Sequence, residues 1–119
     1  MKLNNFAINL TSQDPESLKR FYRDTVGLAP RPEMGEGAFQ AGGATIFVDG
    51  HSDTHGPAKE PQRVLINFFV DDLGGEQSRL ESKGAKFIRK EGKEEWGGVI
   101  STFLDPDGNY LQLIEYKPS

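Results

Sequence analysis

Cysteine is absent from the 119 residues, which removes disulfide frameworks, thiolate zinc sites and thiol nucleophiles together. An excess of positive charge is absent too. The 14 lysines and arginines stand against 18 aspartates and glutamates, a formal net charge of −4, so the whole molecule offers no attraction to nucleic acid or to an anionic membrane. No apolar run approaches the length of a membrane span, and the longest, around Val64–Val70, is interrupted by Asn67. The segment Met1-Lys2-Leu3-Asn4-Asn5 lacks the apolar core of a signal peptide. The expectation is a cytoplasmic protein that acts on something small, with neither nucleic acid nor membrane as partner. A chain of this length suits one domain and buries a core without cross-links.

What is present is one plan stated twice. Asn4–Leu10 reads as a strand, Phe6, Ile8 and Leu10 alternating with Asn5, Ala7 and Asn9. Asp14-Pro15 supplies an N-cap followed by proline at the first helical position. Leu18, Phe21, Tyr22 and Val26 form the apolar stripe of that helix, and Gly27 is placed to end it. Short strands follow near Gly37–Ala41 and Ala44–Asp49. The polar, glycine- and proline-rich stretch Gly50–Pro61 then reads as a loop. In the second half Arg63–Val70 is a strand, and Asp71 or Asp72 caps a helix ending near Gly84. Gly74 and Gly75 weaken its first turn by about 1 kcal/mol each relative to alanine. Phe87–Arg89, Val99–Leu104 and Tyr110–Tyr116 supply the later strands, and Asp105-Pro106-Asp107-Gly108-Asn109 is a turn.

The halves superpose by number. Ile8-Asn9-Leu10 and Ile66-Asn67-Phe68 lie 58 residues apart, as do Asp14 and Asp72, while Gly43 and Phe47 fall on Gly108 and Gln112 at an interval of 65. The organisation expected is a single domain over 1–119, with a first βαβββ module at 1–50, a linker at 51–61 and a second module at 62–117. Each half alone leaves one sheet face without a helix, so pairing the halves would curve the sheet around a cleft.

Three segments resemble the vicinal oxygen chelate superfamily, which includes glyoxalase I, extradiol dioxygenases and bleomycin resistance proteins. Asp14-Pro15-Glu16-Ser17-Leu18-Lys19-Arg20-Phe21-Tyr22 with Val26-Gly27-Leu28 is similar to its first-helix signature. Val70-Asp71-Asp72-Leu73 resembles the passage from its fifth strand to its second helix. Trp96-Gly97-Gly98 followed by Phe103-Leu104-Asp105-Pro106-Asp107-Gly108-Asn109-Tyr110-Leu111-Gln112-Leu113 is similar to its C-terminal hairpin. The resemblance implies an α+β fold of two βαβββ modules forming a cupped mixed sheet with helices outside, commonly as a homodimer.

In catalytic members of that superfamily, four ligands on the first, fourth, fifth and eighth strands hold a divalent metal that polarises an oxygen. Those positions here are Ala7, Phe47, Leu65 and Gln112. Three carry no donor atom, and one neutral amide does not hold a metal. A slip of two residues keeps the strand face but adds only Asp49 as a strong ligand. His51 and His55 lie outside every candidate strand, in a loop where they read as solvated. The resemblance therefore implies a member without the metal and without a cofactor.

With those positions fixing the inward face, strand parity lines the cleft with Asn9, Phe47, Leu65, Asn67, Phe69 and Gln112. The terminal hairpin sets Thr102 beside Gln112, and the resemblance puts Trp96 over the cleft mouth. Each of these has a plainer role. Phe47, Leu65 and Phe69 also read as core. Asn9 and Asn67 also read as an amide pair tying the modules, and Trp96 as a dimer-interface anchor. The leading functional expectation is a metal-independent protein that binds a small molecule, like the bleomycin resistance proteins, with the acidic net charge favouring a cationic ligand. Two others stand beside it: a glyoxalase- or lyase-type enzyme using Asp49 or an unexpected metal, and an interaction protein whose cup is filled by its own side chains.

Overall fold

The computed structural model describes residues 1–116. The chain divides into two compact units, one spanning Met1–Gly56 and the other beginning at Pro57, and each is a βαβββ module with a four-stranded mixed sheet. The α+β class expected from the sequence is the observed one.

In the first module the strands run β1 (Ala7–Ser12), β2 (Ala29–Pro30), β3 (Ala38–Ala41) and β4 (Ala44–Gly50), ordered β1-β4-β3-β2 across the sheet. β1 pairs parallel to β4, while β3 pairs antiparallel to β4 and β2 to β3. β1 begins later than the alternation suggests, because β4 offers partners only from Thr45 onward. Before that point the Phe6 N–H turns to the Asn5 side chain at 2.8 Å. The helix α1 (Pro15–Arg20) starts where expected, with Asp14 accepting the Ser17 N–H at 3.2 Å. It then widens into a π-helical turn, Phe21–Val26, which Gly27 closes from the left-handed region at φ 87°. Leu18 and Tyr22 of this helical segment, Phe39 of β3, and Ile46 and Val48 of β4 are buried. Burial of each such large side chain is worth about 1.5–3 kcal/mol. The loop after β4 is tied to β1 and the turn beyond it: the hydroxyls of Thr11 and Thr54 meet at 2.7 Å, and the Gly56 N–H donates to Gln13 at 2.7 Å.

The second module repeats the order with β5 (Ile66–Phe69), β6 (Lys86–Lys93), β7 (Val99–Leu104) and β8 (Tyr110–Glu115), arranged β5-β8-β7-β6. β5 is shorter than expected because Pro61–Arg63 forms a 3-10 turn. β6 is longer, continuing past Arg89 through two irregularities in its pairing with β7. The helix α2 (Leu73–Ser82) is capped by Asp72, which accepts the Gly75 N–H at 3.1 Å. A Cβ on Gly75 would collide with that carboxylate, so one glycine that weakens the helix on propensity also makes room for its cap. Leu73 and Leu80 are buried, as are Ile66, Phe103, Leu111 and Leu113 of the sheet. The β7–β8 turn is held by Asp105, whose carboxylate accepts the N–H groups of Asp107 and Asn109 at 2.9 and 3.0 Å. No helix among the described residues is long and apolar enough to cross a membrane.

Candidate functional site

One face of each sheet carries the helix, and the functional question concerns the other. In the second module α2 marks the covered side: the Leu73 N–H donates to Glu115 at 3.0 Å, and Gln77 accepts the Glu91 N–H at 3.3 Å. Strand alternation therefore puts Tyr110, Gln112 and Ile114 on the open side. Across that face the register aligns Asn67, Gln112, Thr102 and Arg89 in a single row over four strands. Gln112 Nε2 donates to Thr102 Oγ1 at 3.1 Å. Asn67 is exposed and its side chain has no hydrogen bond among the described residues. Arg89 pairs with Glu94, and Gly92 leaves the space its guanidinium fills.

The next row holds Phe69, Ile114 and Ile100. Phe69 is 73 % exposed and Trp96 51 %, with the Trp96 ring packed on Tyr116 at 5.6 Å and 54°. Leu65 lies just ahead of β5 and is also exposed. The structure thus does not make core residues of Leu65, Phe69 or Trp96. An edge strand receives cover from one neighbour only, so its open-face side chains stay in solvent.

In the first module the buried Phe39 lies beside Glu16, Lys19, Arg20 and Arg23 of the helical segment, on the covered side, around a cavity of about 110 Å³. The open side carries Asn9, Phe47 and Ala38 in one row, with Thr45 and Asp49 flanking Phe47 along β4. Phe47 is half-buried. Asn9 is exposed, and its amide turns to Asp49 at 3.4 Å. Beyond Ala38 the backbone N–H of Arg31 donates to the Ala38 carbonyl at 2.8 Å. The Arg31 side chain crosses β3 to donate to Thr45 Oγ1 at 2.9 Å.

Both arginines escaped the reading of the sequence, although a signal exists. Arg31 and Arg89 are 58 residues apart, the interval that relates Asn9 to Asn67. Each module sets an asparagine at one edge of its open face and an arginine at the other.

Of the four positions that the resemblance matches to metal ligands, Gln112 alone carries a side-chain donor atom. Ala7, Phe47 and Leu65 have none to give, and beside Phe47 and Gln112 the register places Asn9 and Asn67, neutral amides where hard anionic donors are needed. No group of three histidine, aspartate or glutamate side chains among the described residues is placed to hold a metal ion. His51 has its Nδ1 occupied by the Asp53 N–H at 3.0 Å. Asp49 accepts from the Asn9 amide and belongs to no such group among the described residues.

The sequence profile of the family described as the Glyoxalase/Bleomycin resistance protein/Dioxygenase superfamily matches residues 2–113. No curated protein matches the chain. Among solved structures, a glyoxalase/bleomycin resistance protein/dioxygenase family enzyme from Burkholderia phytofirmans PsJN is similar over 93 % of this chain and 97 % of its own, with a TM-score of 0.76 and 18 % identity. A superfamily member from Sphaerobacter thermophilus DSM 20745 is similar over 97 % of this chain and 98 % of its own, with a TM-score of 0.74 and 19 % identity. A virulence protein from Salmonella typhimurium covers 98 % of this chain and 100 % of its own, with a TM-score of 0.72 and 20 % identity. At these identities the likeness is one of fold.

Proposed function

The chain belongs to the Glyoxalase/Bleomycin resistance protein/Dioxygenase superfamily, and from that premise we propose that it is a metal-independent binding protein for a small organic molecule. Drug or metabolite sequestration in the cytoplasm is the role that fits such a protein. The observation that carries the reading is the open face of the second module. Its central row is polar and held in place by the Gln112–Thr102 bond, the next row begins with the exposed Phe69, and the exposed Trp96 packs on Tyr116. A few convergent hydrogen-bonding groups beside apolar surface is the usual composition of a small-molecule site. Leu65, two residues before Asn67, puts an exposed apolar side chain on the other flank of the polar row, and Asn9 and Phe47 are the corresponding residues of the first module.

Protein purified without a histidine tag is the material for the test. Tryptophan fluorescence reads the only indole, Trp96, directly, and titration with planar aromatic compounds should quench or shift it saturably. Metal analysis of the same sample should find no stoichiometric divalent ion, and added Zn²⁺, Mn²⁺ or Ni²⁺ should leave Tm unchanged, since a specific ligand of the native state raises it. Tightly bound stoichiometric metal would sink the metal-independent reading.

Homodimerisation belongs to the same proposal. Phe69, Val64 and Phe6 are large apolar side chains left in solvent, and surface of that kind favours association. Sedimentation over a range of concentrations would reveal a monomer if the idea is wrong.

A further inference from the structure

We infer that Arg31 is an anion-recognising residue, and that the open face of the first module takes the carboxylate of an aromatic ligand. The inference rests on the small-molecule reading above and names the ligand's charge.

Arg31 is positioned at both ends. Its backbone N–H is bonded to Ala38 at 2.8 Å, and its Nη1 donates to Thr45 Oγ1 at 2.9 Å. Thr45 is buried, and its hydroxyl lies 3.9 Å from the Met34 sulfur. The hydroxyl proton has that sulfur as its acceptor, which leaves the oxygen lone pairs to the guanidinium. Ala38 is the residue the arginine passes over, and its methyl group permits the crossing. Thr45 and Phe47 are successive residues on the same face of β4. The guanidinium fixed at Thr45 therefore lies over the strand face that also carries the half-buried Phe47.

The charge is incompletely answered. Glu33 Oε1 stands 3.5 Å from Arg31 Nε, longer than a well-formed charged hydrogen bond, and the Glu33 side chain is 66 % exposed against 35 % for Arg31. Such a contact is readily displaced. Of the five N–H donors of a guanidinium, one goes to the Thr45 hydroxyl, and displacing the exposed Glu33 carboxylate from Nε would present the Nε–Nη2 edge, the planar fork that matches a carboxylate. The equivalent arginine of the second module differs: Arg89 donates an Nη2 hydrogen bond to the Glu94 carboxylate. The repeat therefore contains one arginine with a carboxylate hydrogen-bonded to it and one whose carboxylate stands only at ion-pair distance. A net charge of −4 would favour cations at long range. Screening limits that field to about 10 Å at moderate salt, whereas Arg31 acts at contact.

The probes are benzoate, benzamide and benzylamine, matched in ring and differing in charge, followed by heteronuclear NMR including the arginine Nε–Hε signals. Benzoate should bind about tenfold more tightly than benzamide, moving the Arg31 Nε–Hε signal and the amides of Thr45 and Phe47. Arg31→Gln should remove that preference and leave benzamide unaffected. Arg31→Lys, which keeps charge but not the fork, should fall between, and Arg63→Gln, at an exposed arginine paired with Glu60, should match the parent protein. Should Arg31→Gln fail to fold, the Arg31→Lys titration and the Arg31 signal of the parent protein decide. Binding of benzamide or benzylamine at least as tight as benzoate overturns the inference while leaving the small-molecule reading standing. Silence from all three probes sinks both.

Discussion

Gln112 and Thr102 face each other across β8 and β7, joined by an amide-to-hydroxyl hydrogen bond of 3.1 Å on the helix-free side of the second sheet. Thr102 is buried and Gln112 half-buried, so the bond is largely shielded from competing water. Thr102→Val keeps the shape and deletes the acceptor. It should cost about 1 kcal/mol in urea unfolding with m unchanged. A double-mutant cycle with Gln112→Leu should return a coupling of roughly 0.5 kcal/mol or more, and additivity would show that the pair contributes nothing specific.

Two glycines of the first module should respond unequally to the same change. The Val48 N–H donates to the Gly37 carbonyl at 2.8 Å, and a Cβ on Gly37 would collide with the Val48 carbonyl oxygen. Gly37→Ala forces backbone apart and should cost about 1–3 kcal/mol. Gly43 has nothing within 4 Å of a Cβ, so Gly43→Ala should stay within about 0.5 kcal/mol of the parent. Equal effects in a thermal melt would refute the steric account.

The acid limb of stability should contain a contribution from Glu81. Its carboxylate is hydrogen-bonded by Lys90, at 3.1 Å, and by Gln77, at 3.0 Å. These bonds hold it below its ordinary value of 4.5. A depressed folded value means the stabilisation is fully present above the unfolded value and disappears as pH falls through the folded one. The urea midpoint of Glu81→Gln should therefore lie below that of the parent at neutral pH and converge on it in acid. Because the pair is exposed, added salt should shrink the gap; a gap that persists in acid contradicts the assignment.

Exposure separates binding from folding at the aromatic end of the second module. Trp96→Ala and Phe69→Ser remove rings that are largely in solvent, so each should change stability by no more than about 0.5 kcal/mol. The same changes should weaken ligand binding several-fold by calorimetry. A large loss of stability would instead make these rings part of the core.

The helix starts were legible because capping is local: Asp14 and Asp72 reach amides three residues ahead, and both bonds form. Strand parity was legible for the same reason, and with the turn at Asp105–Asn109 it placed Thr102 opposite Gln112. Exposure was not. Alternation assigns Phe69 to a face but says nothing about whether that face is covered, and 73 % of it remains in solvent. Arg31 was missed because β2 is two residues long and contains a proline, too short to show a period. The side chain acquires meaning once β3 sets β2 two strands from Thr45.

The sequence by itself determined the doubled βαβββ order and removed the donors from Ala7, Phe47 and Leu65, since a residue's chemistry is fixed wherever it lies. Tertiary structure alone decided which residues complete each row: Asn67 and Arg89 on either side of the Gln112–Thr102 pair, and Asn9 with Phe47 and Ala38. Those rows run perpendicular to the chain. The first depends on the register of three strand pairings and the second on two, and register is set by packing and turns far from the residues it aligns.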